Sequence, residues 1–146
     1  MRVLICGSRD WTDTGPAPRM PSDTVVPRRA HPPPGLGGDL IRRELSSLQG
    51  VDVVIEGEAP GADTLTRHAA EELGIPVLPF PADWDRHGRA AGPIRNQRMI
   101  DEGHPDLVLA FTQDLNSSRG TADMVARAKR AGLPLRLISH TGEKSL

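Results

Sequence analysis

Five short apolar runs recur along the chain with helix-length segments between them, and this alternation limits the fold more than any other feature. The runs are "RVLIC" (2–6), "VDVVI" (51–55), "PVLPF" (76–80), "DLVLAF" (106–111) and "LPLRLI" (133–138), all rich in Val, Leu and Ile. Near-continuous apolarity predicts strands buried on both faces, as in a parallel sheet covered by helices on each side. Helical patterns over about 38–48, 62–73, 90–102 and 120–131 supply the covers. The second is the clearest: Leu65, Ala69, Ala70 and Leu73 fall on one side and Gly74 stops it. The expectation is an α/β fold, a single Rossmann-like domain over 1–146 with a parallel sheet of about five strands.

One stretch breaks the rhythm. "TDTGPAPRMPSDTVVPRRAHPPPGLGG" (12–38) is dense in Pro and Gly and has little periodicity. Such a segment buries too little apolar surface to offset its ordering entropy, which predicts a long surface loop inserted in the domain. "GLGGDL" (35–40) mimics a glycine fingerprint for dinucleotides, but it follows this loop and not a strand, and is discounted.

Charge and composition narrow the function classes. A net charge of −1 and four aromatic residues argue against a basic, stacking groove for nucleic acid. No apolar run approaches the roughly 20 residues of a membrane span, and the start is too brief for a signal peptide. The single cysteine, Cys6, excludes an intrachain disulfide and fits the cytoplasm. At the end of an apolar run, Cys6 reads as a buried small residue before it reads as a nucleophile.

Chemistry is expected beyond the carboxyl ends of the strands, where open parallel sheets bind ligands. The segments there are "GSRDW" (7–11), "EGEAPGAD" (56–63), "PADWDRHGRAAGPIRNQR" (81–98) and "TQDLNSSRGTAD" (112–123). Gly7, Ser8 and Arg9 come from the first. Gly57, Gly61, Ala62 and Asp63 in the second, and Ser117, Ser118, Arg119, Gly120 and Thr121 in the fourth, run into helix starts. Helix N-termini present unpaired N–H groups and partial positive charge, so both openings are candidate phosphate sites; ordinary capping by Ser118 or Thr121 is the rival. In "GPIRNQRMID" (92–101), Ile94, Met99 and Ile100 want a core, while Arg95, Asn96 and Arg98 need water or an anion. "DWDRH" (83–87) reads as an Asp-capped turn with Trp84 covering the core, ahead of a metal site, and a ligand base stacked on Trp84 is the third option. No His or Cys spacing suggests a metal, and no cofactor is implied.

"GSRDW", "GEAPGAD", "FPADWDRHGRAAGPIRNQRMID" and "SRGTADMV" resemble, in order and spacing, the YspA-like branch of the SLOG superfamily. That superfamily also holds the Lonely Guy phosphoribohydrolases and the DNA-processing protein DprA. The resemblance implies a Rossmann-like domain that binds a nucleotide or nucleotide-derived small molecule, as a sensor or processing domain. Lonely Guy enzymes release ribose 5-phosphate from nucleoside 5′-monophosphates, using an arginine-bearing helix and a PGGxGTxxE motif. "IRNQRM" resembles that helix, with Arg95 as the matching arginine. "NSSRGTADM" departs from the motif: Asn116, Ser117 and Ser118 replace Pro-Gly-Gly, and Met124 stands where Glu belongs. Asp123 lies about 100° round the helix from that position and does not simply substitute.

Three readings follow. The first is a small-molecule binding domain with Arg95 on a ligand phosphate or ribose, and with Arg98 divided between that ligand and a salt bridge to Asp101 or Glu102. The second is an N-glycosidic hydrolase in which Glu58, Asp83, Asp85 or Asp123 stabilises an oxocarbenium-like centre or activates water. The third is DprA-like binding of single-stranded DNA. The resemblance to Lonely Guy proteins also implies a homodimer.

Overall fold

A computed structural model of the protein describes residues 1–11 and 36–144. β1 (Arg2–Gly7) leads to α1 (Leu36–Ser47), β2 (Val53–Glu56), α2 (Ala62–Leu73), β3 (Val77–Pro79) and the single-turn α3 (Trp84–His87). α4 (Ala91–Asp101), β4 (Leu107–Phe111), α5 (Arg119–Arg130), β5 (Leu135–Ser139) and β6 (Gly142–Lys144) complete it. The sheet order is β3-β2-β1-β4-β5-β6. The first five strands are parallel, so the α/β, Rossmann-like expectation holds. Most of the Pro- and Gly-rich segment lies outside the described residues; its last three positions, 36–38, are helical and open α1.

β1 shows why the runs are continuous. Val3 and Ile5 join the core under α1 and α2, with Trp11, Ile41, Val54 and Ala69. Leu4 and Cys6 join the opposite core under α4 and α5, with Ile55, Met99, Val108 and Met124. Successive side chains of a strand point to opposite faces, so a central strand between two helix layers needs apolar residues at every position. Val3, Leu4 and Ile5 are completely buried.

The structure adds one strand to the expected sheet and corrects two side-chain placements. A sixth strand, β6, pairs antiparallel with β5. Polar "GEK" gives no apolar signal; the strand is held at the sheet edge by its backbone ladder and by Arg136–Glu143 (3.0 Å). Leu73 is 40% exposed, at the end of α2 where Gly74 turns the chain away. Ile94 is 39% exposed, while its neighbours Arg95 and Asn96 are buried.

The topology places one crevice. From β1 the chain goes next to α1 on one face, and from β4 to α5 on the other, so the strand order reverses between them. Beyond β1 a cleft lined by Gly7 opens at that point, which is where such sheets bind ligands.

Candidate functional site

β1 ends where no side chain fits. A Cβ on Gly7 would stand 2.5 Å from the Cβ of Ala62 and would also meet the Phe111 carbonyl. The turn that follows is held from both sides: Ser8 N–H donates to Phe111 O (3.0 Å) and Trp11 N–H to Ser8 O (3.1 Å). The Ser8 and Thr112 hydroxyls hydrogen-bond across the β1–β4 junction. Trp11 is buried, its indole N–H donating to Gly37 O (3.3 Å) and its ring stacked on His140. Between these anchors Arg9 and Asp10 stand exposed at the crevice mouth.

The β2–α2 loop spends its backbone donors internally. Gly57 and Ala59 N–H groups donate to Asp63 Oδ2 at 3.2 and 3.1 Å, and Glu58 N–H donates to Glu56 Oε2 at 2.6 Å. Ala62 N–H donates to Ser8 O (3.2 Å). Gly61, at φ 82°, leaves room for the Ser8 and Arg9 carbonyls, which a Cβ would strike. Burial pushes the Asp63 carboxyl up to about 7, aided by the nearby Glu56 charge and opposed by the two N–H donors and Arg95. Both donors go to Oδ2, and Asp63 Oδ1 has no hydrogen-bond partner among the described residues. Glu56 is fully buried; desolvation raises its pKa, with the Glu58 N–H and Arg67 opposing.

α4 turns its arginines to different places. Arg95 is 9% exposed. Its Nη1 donates to Gly57 O, and its Nε donates to Asn96 Oδ1 at 3.0 Å. Gly57 lets the guanidinium come close, since a Cβ there would lie 2.6 Å from Arg95 Nη1. Nη2 takes no protein acceptor among the described residues, and Arg95 lines the crevice. Burial lowers its pKa, Asp63 opposes that, and Arg9 adds like-charge repulsion. Arg98 points elsewhere: its Nε pairs with Glu102 at 2.8 Å and its guanidinium lies over Phe80. The ion pair to Glu102 is therefore found, and Asp101 instead accepts from Gln97.

α5 begins differently. The side chain of its N-cap, Ser118, makes no hydrogen bond to the helix backbone, because its hydroxyl donates to Thr121 Oγ1 (2.7 Å). Ala122 N–H makes the first helical bond, to Ser118 O. The N–H groups of Arg119, Gly120 and Thr121 have no acceptor among the described residues. Asn96 locks this opening to α4: Nδ2 donates to Gly120 O (3.1 Å) and to Asp123 Oδ2 (3.0 Å), while Oδ1 accepts from Arg95. Of the two expected openings, this one keeps the Arg119, Gly120 and Thr121 N–H groups free at the cleft. Before α2, the loop N–H groups of Gly57 and Ala59 go to Asp63 and that of Ala62 goes to Ser8 O. Only the Asp63 and Thr64 N–H groups in the first turn of α2 are left without an acceptor among the described residues.

The crevice is a cleft of about 460 Å³. Gly7, Ser8, Arg9, Gly57, Asp63, Trp84, Arg95, Asn96, Ser117, Ser118, Arg119, Gly120 and Thr121 line it, as does the unanticipated Arg89. Gly61 and Ala62 lie behind it; Ala62 belongs to the core. Arg89 follows α3 in a 3₁₀ turn, and its loop position after β3 was the only signal for it. Trp84 covers no core: it is 49% exposed and forms a cleft wall, with the Arg9 guanidinium 5.5 Å from its ring centre. Four arginines against three aspartates give the lining a positive balance.

Among the candidate carboxylates only Asp123 reaches this cleft. It is tied to Arg127 (2.8 Å) and Asn96, and although burial opposes them, those hydrogen bonds lower its pKa. Asp83 caps α3 through Arg86 N–H, Asp85 lies outside the lining, and Glu58 sits beside Arg67 at 3.7 Å in an adjoining groove. Cys6 touches the cleft, but burial pushes its thiol up strongly, which disfavours the thiolate that a nucleophile needs. Met124 is fully buried in the core beneath α4 and α5. Among the described residues, no group of three or more His, Cys, Asp or Glu could hold a metal ion, and no helix is long and apolar enough to cross a membrane.

Comparison with known proteins agrees with this architecture. The model of the YspA, cpYpsA-related SLOG family matches residues 1–87, which include the β1 turn, the β2–α2 loop and Trp84. The Gene 61 protein of Mycobacterium phage D29 is 34% identical over 139 residues, covering 92% of this chain and 93% of its own. No solved structure gives a significant match. With a sheet order, a cleft and a family match that coincide, the chain belongs to the YspA, cpYpsA-related SLOG family.

Proposed function

We propose that the cleft binds a phosphorylated nucleotide or nucleotide-derived small molecule, and that the domain acts by binding, as a sensor or processing module. One observation carries this reading: three N–H groups at the start of α5 share the cleft with a buried guanidinium whose Nη2, like them, has no acceptor among the described residues. A buried charge without a full set of partners is costly, and an anion placed there satisfies both elements at once. Arg89 and Arg119 add charge at the rim, and Trp84 offers a face for a flat ring. Ligand then contacts Gly7, Ser8, Arg9, Arg95 and residues 117–121, while Asn96 holds Arg95 and α5 in register.

The test is calorimetric titration of nucleoside mono- and diphosphates into wild type and Arg95→Ala. Arg95→Ala should weaken binding by roughly 1.5–3 kcal/mol, the range for hydrogen bonds to charged groups. Arg95→Lys should recover only part, since an ammonium lacks the planar fork. A folded wild type that binds no phosphorylated nucleotide, or unchanged affinity in Arg95→Ala, overturns the reading.

N-glycosidic hydrolysis is a second reading, favoured by Asp63 alone. A cleft-lining carboxyl held near 7 is matched to proton transfer at neutral pH. The Lonely Guy carboxylate has no counterpart, because Met124 faces the core. Chromatographic assay of base release from nucleoside monophosphates separates the readings: release abolished by Asp63→Asn supports the enzyme, and none from wild type supports binding alone. The resemblance-based homodimer is tested by light scattering of the purified chain.

A further inference from the structure

A second groove of about 340 Å³ opens beside the cleft and shares five of its lining residues: Arg9, Gly57, Ala59, Trp84 and Arg95. Its own walls are Glu58, Pro60, Pro81 and Ala82. Each lobe alone falls within the usual size of a small-molecule site, roughly 300–1,000 Å³. A compact mononucleotide in the larger lobe therefore leaves the second unused. At the junction stand two guanidiniums, Arg9 and Arg95, which repel one another. Arg9 has no ion pair among the described residues and rests on the Trp84 ring. The N–H donors next to the second lobe are turned to Asp63 and Glu56, so that lobe offers no anion cradle of its own. Its walls are prolines, an alanine, the Trp84 ring and one carboxylate, a lining suited to an uncharged ring with N–H or O–H donors for Glu58.

From this two-lobed shape with its cationic waist, we infer that the site takes a two-headed ligand, a pyrophosphate-bridged dinucleotide. The inference rests on the nucleotide reading above and extends it. One phosphate sits between the α5 N–H groups and Arg95, the other reaches Arg9 at the waist, and the second nucleoside lies in the groove walled by Pro60, Pro81 and Ala82. Neutralising Arg9 and Arg95 together removes their repulsion, which a single phosphate on α5 leaves in place. Binding of the second head is intramolecular once the first is seated, so it adds affinity at little further entropic cost.

The test compares AMP, ADP and diadenosine diphosphate by calorimetry on wild type and Ala82→Trp, with melting curves on both. Ala82 is only half-buried, and an indole there fills the groove without entering the core. Diadenosine diphosphate should bind wild type at least tenfold more tightly than ADP. Ala82→Trp should erase that advantage while leaving AMP affinity and the melting midpoint unchanged. ADP matching the dinucleotide means that the gain comes from the second phosphate alone and overturns the second-head site, as does an undiminished advantage in Ala82→Trp. AMP binding with no dinucleotide gain leaves the nucleotide reading standing, whereas absence of binding by all three removes both. Should Ala82→Trp melt early, Pro81→Gln, which alters the same wall at an exposed position, is expected to cut the dinucleotide advantage at least threefold, and no change there overturns the site.

Discussion

Two loops at the same end of the sheet look alike in sequence and differ in what they leave available. Residues 56–63 and 112–123 each carry a glycine, an aspartate and a helix start. In the first, Asp63 lies in the opening turn of α2 and reaches back to the N–H groups of Gly57 and Ala59, so the loop supplies its own acceptor. In the second, Asp114 accepts from Asn116 N–H ahead of the helix, and Asp123 sits a turn into α5 facing Asn96 and Arg127. This leaves the N–H groups of Arg119, Gly120 and Thr121 without an acceptor among the described residues. The position of one carboxylate relative to the helix start decides whether the loop before it keeps its N–H groups for itself or leaves them open.

The largest expected effect comes from changing the open helix below its mouth. Met124→Glu puts a carboxylate into a core that includes Leu4, Ile55 and Met99, with no partner for the charge. Destabilisation of about 3–5 kcal/mol is expected in urea unfolding, the range for an uncompensated buried charge. A stable variant that gains base release would mean that position 124 reaches the cleft and that α5 sits differently from this account.

The closed loop is next, through its pH dependence. Asp63 has its folded pKa raised from 3.8 to about 7, so the folded state holds a proton that the unfolded chain has lost. Its contribution to stability is fully present below about pH 4 and declines as pH rises towards 7, with a slope of at most about 1.4 kcal/mol per pH unit. Asp63→Asn keeps a carbonyl for the two N–H donors and removes the titration. Melting curves between pH 4 and 8 should therefore be flatter in this variant than in wild type, and parallel curves would show that Asp63 is ionised and solvated.

Asn96→Ala should have the smallest of these effects. It removes the bridge from Arg95 Nε to Gly120 O and Asp123 without touching the open N–H groups. Nucleotide affinity should fall by ~1 kcal/mol, the scale of one net hydrogen bond. A drop as large as that of Arg95→Ala would make Asn96 a direct ligand contact.

Much of this was legible in the sequence, because strand runs fix which segments lie at the carboxyl edge and parallel topology gathers them there. Arg9, Asp63, Arg95 and residues 117–121 all meet at one cleft for that reason. What escaped depends on single side-chain geometries that periodicity does not carry. Helical spacing assigns Ile94 to a core and Arg95 to water or an anion; the structure exposes Ile94 and buries Arg95, whose guanidinium lies against Gly57 and Asn96. Trp84 reads as a core cover by its apolarity, yet a one-turn helix capped by Asp83 holds it at the cleft wall. β6 has no apolar run, since the backbone edge of β5 and the Arg136–Glu143 pair hold it without apolar side chains.

The central claim is that α5 is the open anion site and the β2–α2 loop the closed one. Amide chemical shifts of isotope-labelled protein, followed through a titration with AMP, test it most directly. The account predicts saturable shifts at the N–H groups of Arg119, Gly120 and Thr121, with Gly57 and Ala59 changed little. Large shifts at Gly57 and Ala59 with residues 119–121 unmoved would contradict it.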